Sequence, residues 1–87
     1  MANDEAARDT FVCLLNGERV VIRFEPDEAR MLLPAGDRVT LYQIPAASGV
    51  RYSNGVLELR GKGNELYLLR DGNLIPLTDC QPYAAPR

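Results

Sequence analysis

The chain has 87 residues and a mass of 9.7 kDa, which is room for a single domain. Its composition, 46% apolar and 25% charged, is that of a folded globular protein and excludes a disordered one. A net charge of −2 disfavours general nucleic-acid binding, which depends on neutralising phosphates, and a chain with no histidine lacks the commonest general base and metal ligand.

The start, MANDEAARDT, is polar and acidic and is not a signal peptide. It reads either as a cytosolic N-terminus or as a mature chain carrying a new initiator Met. Residues 1–9 are expected to be a flexible segment. Thr10–Asn16 is an apolar strand followed by Asn16-Gly17, the favoured pair for a two-residue hairpin because both positions tolerate positive φ. Arg19–Glu25 alternates, with Val20, Ile22 and Phe24 on one face. After a turn at Pro26-Asp27, Glu28–Leu33 puts Ala29, Met31 and Leu33 on one side, although its helix formers also allow a short helix. Pro34 and Gly36 end it in either case. Arg38–Ile44 alternates again around Val39 and Leu41, and Ser48–Ser53 reads as a strand leading to a second hairpin pair, Asn54-Gly55. Val56–Arg60 turns Leu57 and Leu59 inward and Glu58 and Arg60 outward. Gly61-Lys62-Gly63-Asn64 reads as a turn, Glu65–Arg70 as a strand with Leu66 and Leu68 inward, Asp71-Gly72 as a third hairpin pair and Asn73–Leu77 as the last strand. Pro76 suits an edge or end position because it cannot donate to a ladder. The tail 81–87 reads as loosely ordered. No stretch approaches the ~20 apolar residues of a membrane-spanning helix.

These runs make seven or eight strands joined mostly by tight turns, which force sequential antiparallel neighbours. A meander of that length suggests a small barrel or a flattened sandwich. Cys13 lies in the first strand and Cys80 just beyond the last. In a closed sheet those strands are neighbours, and a Cys13–Cys80 bridge would close the barrel, stabilising it by roughly 4 kcal/mol in the chain-entropy model. Such a bridge implies an oxidising compartment; the alternative is two buried free thiols in a cytosolic protein.

Two glycine-flanked loops carry the candidate chemistry, Ala46–Tyr52 and Arg60–Leu66. Lys62, the only lysine, stands between two glycines, and nine of the ten basic residues are arginine. The Asn54-Gly55 turn lies midway between Ser48 and Lys62, so a hairpin returns both to one rim, opposite that turn. The flanking glycines strip away side chains and allow close approach by a partner.

The residues FVC at Phe11–Cys13, LP at Leu33-Pro34, TLYQ at Thr40–Gln43, ASGVRY at Ala47–Tyr52, KG at Lys62-Gly63 with Leu66 following, and the late Cys80 resemble the bacterial inhibitors of c-type lysozyme, membrane-bound and periplasmic. The resemblance covers about residues 11–80. It implies an all-β fold, a small eight-stranded antiparallel β-barrel, closed by one disulfide, over residues 10–80. It implies a protein partner, c-type lysozyme, whose active-site cleft is occluded by a serine and a lysine matching Ser48 and Lys62. Gly49, Arg51, Tyr52 and Gly63 are further candidate contacts, with Tyr52 equally suited to the core. The resemblance implies no catalytic residue, no metal and no cofactor. It implies a periplasmic site or an outer-membrane anchor facing the periplasm, the membrane being reached only through a lipid anchor that this sequence does not contain, and protection of bacterial peptidoglycan from host lysozyme. The chain departs from the family where Leu59 and Arg60 replace the usual aromatic pair.

A lysozyme-type cleft holds one protonated and one ionised carboxyl group. An ammonium and a hydroxyl would supply donors to both, and the ammonium would favour the ionised form of the acid. Rival readings are weaker. An OB-like oligonucleotide binder needs a basic groove with stacking aromatics, and the six aromatics here are scattered in an acidic chain. An enzyme using Ser48 as nucleophile has no histidine to activate it, and one using Lys62 would need a desolvation that a glycine-flanked turn does not supply. A purely structural envelope protein is the remaining alternative. The exposed acids Asp27, Glu28, Glu58, Glu65 and Asp71 read as a solvated surface.

Overall fold

Short alternating runs cannot bury an apolar face alone; each needs a neighbour on either side. The computed structural model, which describes residues 9–83, satisfies this with eight strands: β1 (Thr10–Leu15), β2 (Glu18–Phe24), β3 (Glu28–Leu32), β4 (Arg38–Ile44), β5 (Val50–Ser53), β6 (Leu57–Lys62), β7 (Glu65–Arg70) and β8 (Asn73–Pro82). They form a closed antiparallel barrel in chain order, with β8 returning to pair with β1. Every strand has a partner on both sides, so the sheet has no free edge.

The turns show why the chain folds back where it does. Asn16-Gly17 and Asp71-Gly72 have positive φ at both residues (53° and 82°, 53° and 79°), the geometry that matches the twist of a tight hairpin. Gly63, at φ 62°, forms the β6–β7 connection with Asn64 alone, because Lys62 already pairs with Glu65. Gly61 and Lys62, read from sequence as part of the turn, therefore belong to β6. The expected Asn54-Gly55 pair also differs. Only Gly55 has positive φ, and Ser53 pairs with Glu58, so the loop is wider. The Asn54 side-chain oxygen braces it by accepting from the amides of Val56 (2.9 Å) and Leu57 (2.8 Å).

β3 resolves the one ambiguous segment. Glu28–Leu32 is built of helix formers, yet it is a strand, because β2 and β4 both pair with it and its alternation buries Ala29 and Met31. Tertiary pairing overrides intrinsic preference. Ser48 and Gly49 lie before β5, in the loop that follows β4.

β8 runs past Leu77 to Pro82. Its register with β1 shifts between Val12 and Leu14, where an extra residue enters β8. Asp79 is at φ 51°, the left-handed backbone of a bulge. Strict alternation from the inward Leu77 would carry Asp79 inward and Cys80 outward; the extra residue brings Cys80 round to Cys13. The two are disulfide-bonded, with Cα atoms 4.0 Å apart across 67 positions of sequence. Pro76 pairs with Tyr67, but pairing to β1 begins at Leu77, so the proline stands where that ladder has ended.

Every strand feeds the core: Cys13 and Leu15 from β1, Val20 and Ile22 from β2, Ala29 and Met31 from β3, Leu41 from β4, Tyr52 from β5, Leu57 and Leu59 from β6, Leu68 from β7 and Leu77 from β8. At the end where β1 begins and β2 stops, Phe24 packs edge-on against Phe11 (6.0 Å) and tilted against Tyr52 (5.7 Å). The loosely ordered ends expected at 1–9 and 81–87 fall mostly outside the described residues. Those that are described are tied in: the Asp9 carbonyl accepts from the Phe24 amide and the Tyr83 amide donates to the Thr10 carbonyl, both at 2.8 Å.

Because the bridge spans most of the chain, reducing it should destabilise the barrel by about 4 kcal/mol. Urea unfolding with and without reductant reads this directly. A midpoint unmoved by reduction would mean that β1–β8 pairing alone closes the sheet.

Candidate functional site

The β5–β6 hairpin and the two loops beside it build one face of the barrel end. β5 and β6 pair Val50 with Gly61, Arg51 with Arg60, Tyr52 with Leu59 and Ser53 with Glu58. Tyr52 and Leu59 are buried, so Arg51 and Arg60 face outward. Continuing the register places Gly49 opposite Lys62 and Ser48 opposite Gly63. Ser48 comes from the β4–β5 loop and Lys62 is the last residue of β6; both are exposed.

Two glycines make this closeness possible. Gly49 lies at φ +70°, and a Cβ on it would stand 2.0 Å from the Gly61 carbonyl oxygen. The loop therefore lies directly on the β6 backbone, where no side chain fits. Gly61 is crowded from the other side: a Cβ there would meet the Leu66 Cδ2 at 2.9 Å and the Val50 Cγ2 at 3.1 Å. The result is a shallow hollow of about 370 Å³ that brings together Ser48, Val50, Arg51, Arg60, Lys62 and Tyr67, with Ala46, Ala47 and Gly61 in its floor and wall.

The side chains around it are partly preorganised. Glu58 Oε2 accepts hydrogen bonds from Arg51 Nε (2.9 Å) and from Arg60 Nε. The Arg51 bond first, and then the Arg60 bond, hold the Glu58 carboxyl below the usual carboxylate range, against an opposing push from burial. The Arg51 guanidinium is correspondingly raised, chiefly by the same bond. Tyr67 donates to Glu65 Oε1 at 3.1 Å, which raises the phenol. Lys62, by contrast, makes no ion pair or side-chain hydrogen bond among the described residues, and Glu65 opposite it is engaged by Tyr67. Three free ammonium donors thus project at the rim beside the Ser48 hydroxyl.

Of the candidate contacts, Ser48, Arg51 and Lys62 line the hollow, Gly49 presses against its floor, and Gly63 forms the adjoining turn. Tyr52 is 7% exposed and belongs to the core, where its ring fixes β5 against Phe24. Reading Glu58 as a solvated acid missed its role as a clamp. The signal was present in the sequence, since two arginines and a glutamate flank a hairpin turn, but it acquires meaning only when the register sets Arg51 opposite Arg60. Among the described residues no cluster of acids or cysteines could hold a metal ion. The hollow as it stands offers hydrogen-bond donors and positive charge.

A family model described as membrane-bound lysozyme-inhibitor of c-type lysozyme matches residues 11–75 of the chain. No curated protein and no solved structure is detectably similar to it.

Two outcomes test this geometry. Gly49→Ala should destabilise the protein by about 2 kcal/mol, through left-handed strain and collision with the Gly61 carbonyl; denaturant unfolding equal to the parent's would mean the loop is not seated on β6. Because the folded Glu58 carboxyl titrates below its unfolded value, its contribution is fully present above pH ~4.5 and is lost as pH falls through the lower folded value. Glu58→Gln should therefore be less stable than the parent at pH 7, by about 1 kcal/mol or less given the exposed arginines. The gap should close in acid, and a gap independent of pH in thermal unfolding would show that the clamp is not electrostatic.

Proposed function

This chain belongs to the family of membrane-bound inhibitors of c-type lysozyme, and from that premise we propose that it inhibits c-type lysozyme by filling the enzyme's active-site cleft with the rim that carries Ser48 and Lys62. The observation that carries the reading is the shared hollow: an ammonium with no ion pair among the described residues, at the end of β6, and a hydroxyl from the β4–β5 loop, both lining one glycine-backed surface. The cleft of a retaining glycosidase of this type holds a protonated acid and an ionised carboxylate. Lys62 supplies a charge-assisted hydrogen bond to a carboxylate there, and Ser48 supplies a neutral donor and acceptor beside it. The nearby ammonium stabilises the ionised form of the acid and so removes the proton that must reach the leaving oxygen. Inhibition then has two parts, a blocked cleft and a mistuned acid.

Rigidity makes this effective. Lys62 ends a strand paired on both sides and Ser48 is pinned by the Gly49–Gly61 contact, so little freedom remains to be lost on binding. Gly49 and Gly63 contribute by leaving room for the enzyme's walls, and Arg51 borders the same surface. The protein is a binding protein and not an enzyme. Its place is the bacterial envelope, in the periplasm or anchored to the outer membrane, where it shields peptidoglycan from host lysozyme. The disulfide suits that oxidising setting.

Titration of a c-type lysozyme with the protein should abolish activity. Lys62→Ala and Ser48→Ala should each weaken inhibition by about 2 kcal/mol, roughly thirtyfold, with unchanged unfolding midpoints. Full lysozyme activity at micromolar excess of the parent protein, or a Lys62→Ala variant as potent as the parent, would contradict the reading.

A further inference from the structure

The hollow is more cationic than one lysine requires. Its lining holds Arg51, Arg60 and Lys62 and no acidic side chain, in a protein whose net charge is −2. Arg51 and Arg60 stand directly opposite each other on neighbouring strands. Like charges in that position repel. Glu58, outside the lining, holds the pair together by taking one Nε–H from each. Among the described residues the terminal Nη groups of both guanidinium ions have no partner. They form a fork of planar donors that is fixed at its base and open at its tip, a geometry suited to binding a carboxylate through two parallel bonds.

We infer that Arg60, with Arg51 beside it, forms a second carboxylate-binding element of this hollow, taking an acidic side chain of the target protein other than the one that meets Lys62, and that Glu58 is its positioning residue. The inference rests on the reading of Ser48 and Lys62 as the cleft-filling pair. Arg60 lies two positions back along β6 from Lys62, so the second acid should lie about 7 Å from the first along the strand direction. A protein carboxylate is favoured over an extended polyanion because the chain as a whole is acidic and would repel a long one. Exposed Val50 at the hollow's edge adds an apolar contact of the kind a protein surface offers.

The experiment compares Arg60→Leu, Arg60→Lys, Glu58→Gln and Lys62→Ala in inhibition titrations of one c-type lysozyme at low and high salt. Arg60→Leu should weaken inhibition about tenfold, and less at high salt than at low. Arg60→Lys should restore only part of the loss, because a point charge replaces the fork. Glu58→Gln should weaken inhibition about threefold at pH 7 through the loosened arginines, a change that thermal unfolding of the free protein does not account for. An Arg60→Leu variant as potent as the parent, while Lys62→Ala is impaired, would overturn this inference and leave the cleft-filling reading intact. No inhibition by the parent protein would overturn both.

Discussion

A meander of eight short strands has to end where it began. β8 must find β1, or the core opens along a seam and two ladders are left unpaired. The chain meets this constraint with a bulge. Asp79 takes left-handed backbone, adds one residue to β8 and shifts its register so that Cys80 reaches Cys13. The covalent link then limits the unfolded ensemble of a domain too small to depend on its core alone. Closure also fixes the far side of the barrel, since each strand's tilt and register are set by both neighbours.

The rim inherits its precision from that closure. Tyr52 anchors β5 to the aromatic cluster under one barrel end, and its outward neighbours on the hairpin border the candidate surface. Ser48 comes from the β4–β5 loop and Lys62 from the end of β6. The bare contact of Gly49 on the Gly61 carbonyl lays the loop against the strand. Beside them Glu58 reconciles two opposed arginines that would otherwise splay. A scaffold of this kind has little to reorganise on meeting a partner, and the proposed inhibition depends on that more than on net charge, which at −2 gives only modest attraction to a basic enzyme.

Much of the fold was legible because period and punctuation agreed. Val20, Ile22 and Phe24, or Leu57 and Leu59, declare an inward face, and Asn16-Gly17 and Asp71-Gly72 declare the turns that their backbone angles then show. Legibility failed where a non-local partner decides. Glu28–Leu32 is helical by composition and a strand by pairing. Asn54-Gly55 looks like the other hairpin pairs, but the Asn54 side chain holds a wider loop. Lys62 looked like a turn residue because glycines surround it, although pairing with Glu65 makes it the end of β6. The Asp79 bulge has no local signature, so β8 read as ending at Leu77. At the site, the joining of Ser48 and Lys62 followed from hairpin arithmetic. The Arg51–Glu58–Arg60 clamp did not, because its members become neighbours only through register.

The proposed inhibition is electrostatic at its centre: an ammonium held in the cleft would shift the enzyme's catalytic acid toward its ionised form. Calorimetric binding of the protein to a c-type lysozyme in buffers of different ionisation enthalpy, near the pH of about 6 at which such an acid is half protonated, measures this as protons exchanged on association. Net proton release that disappears with Lys62→Ala is the result the account predicts. Tight binding with no proton release, or with proton uptake, would contradict it.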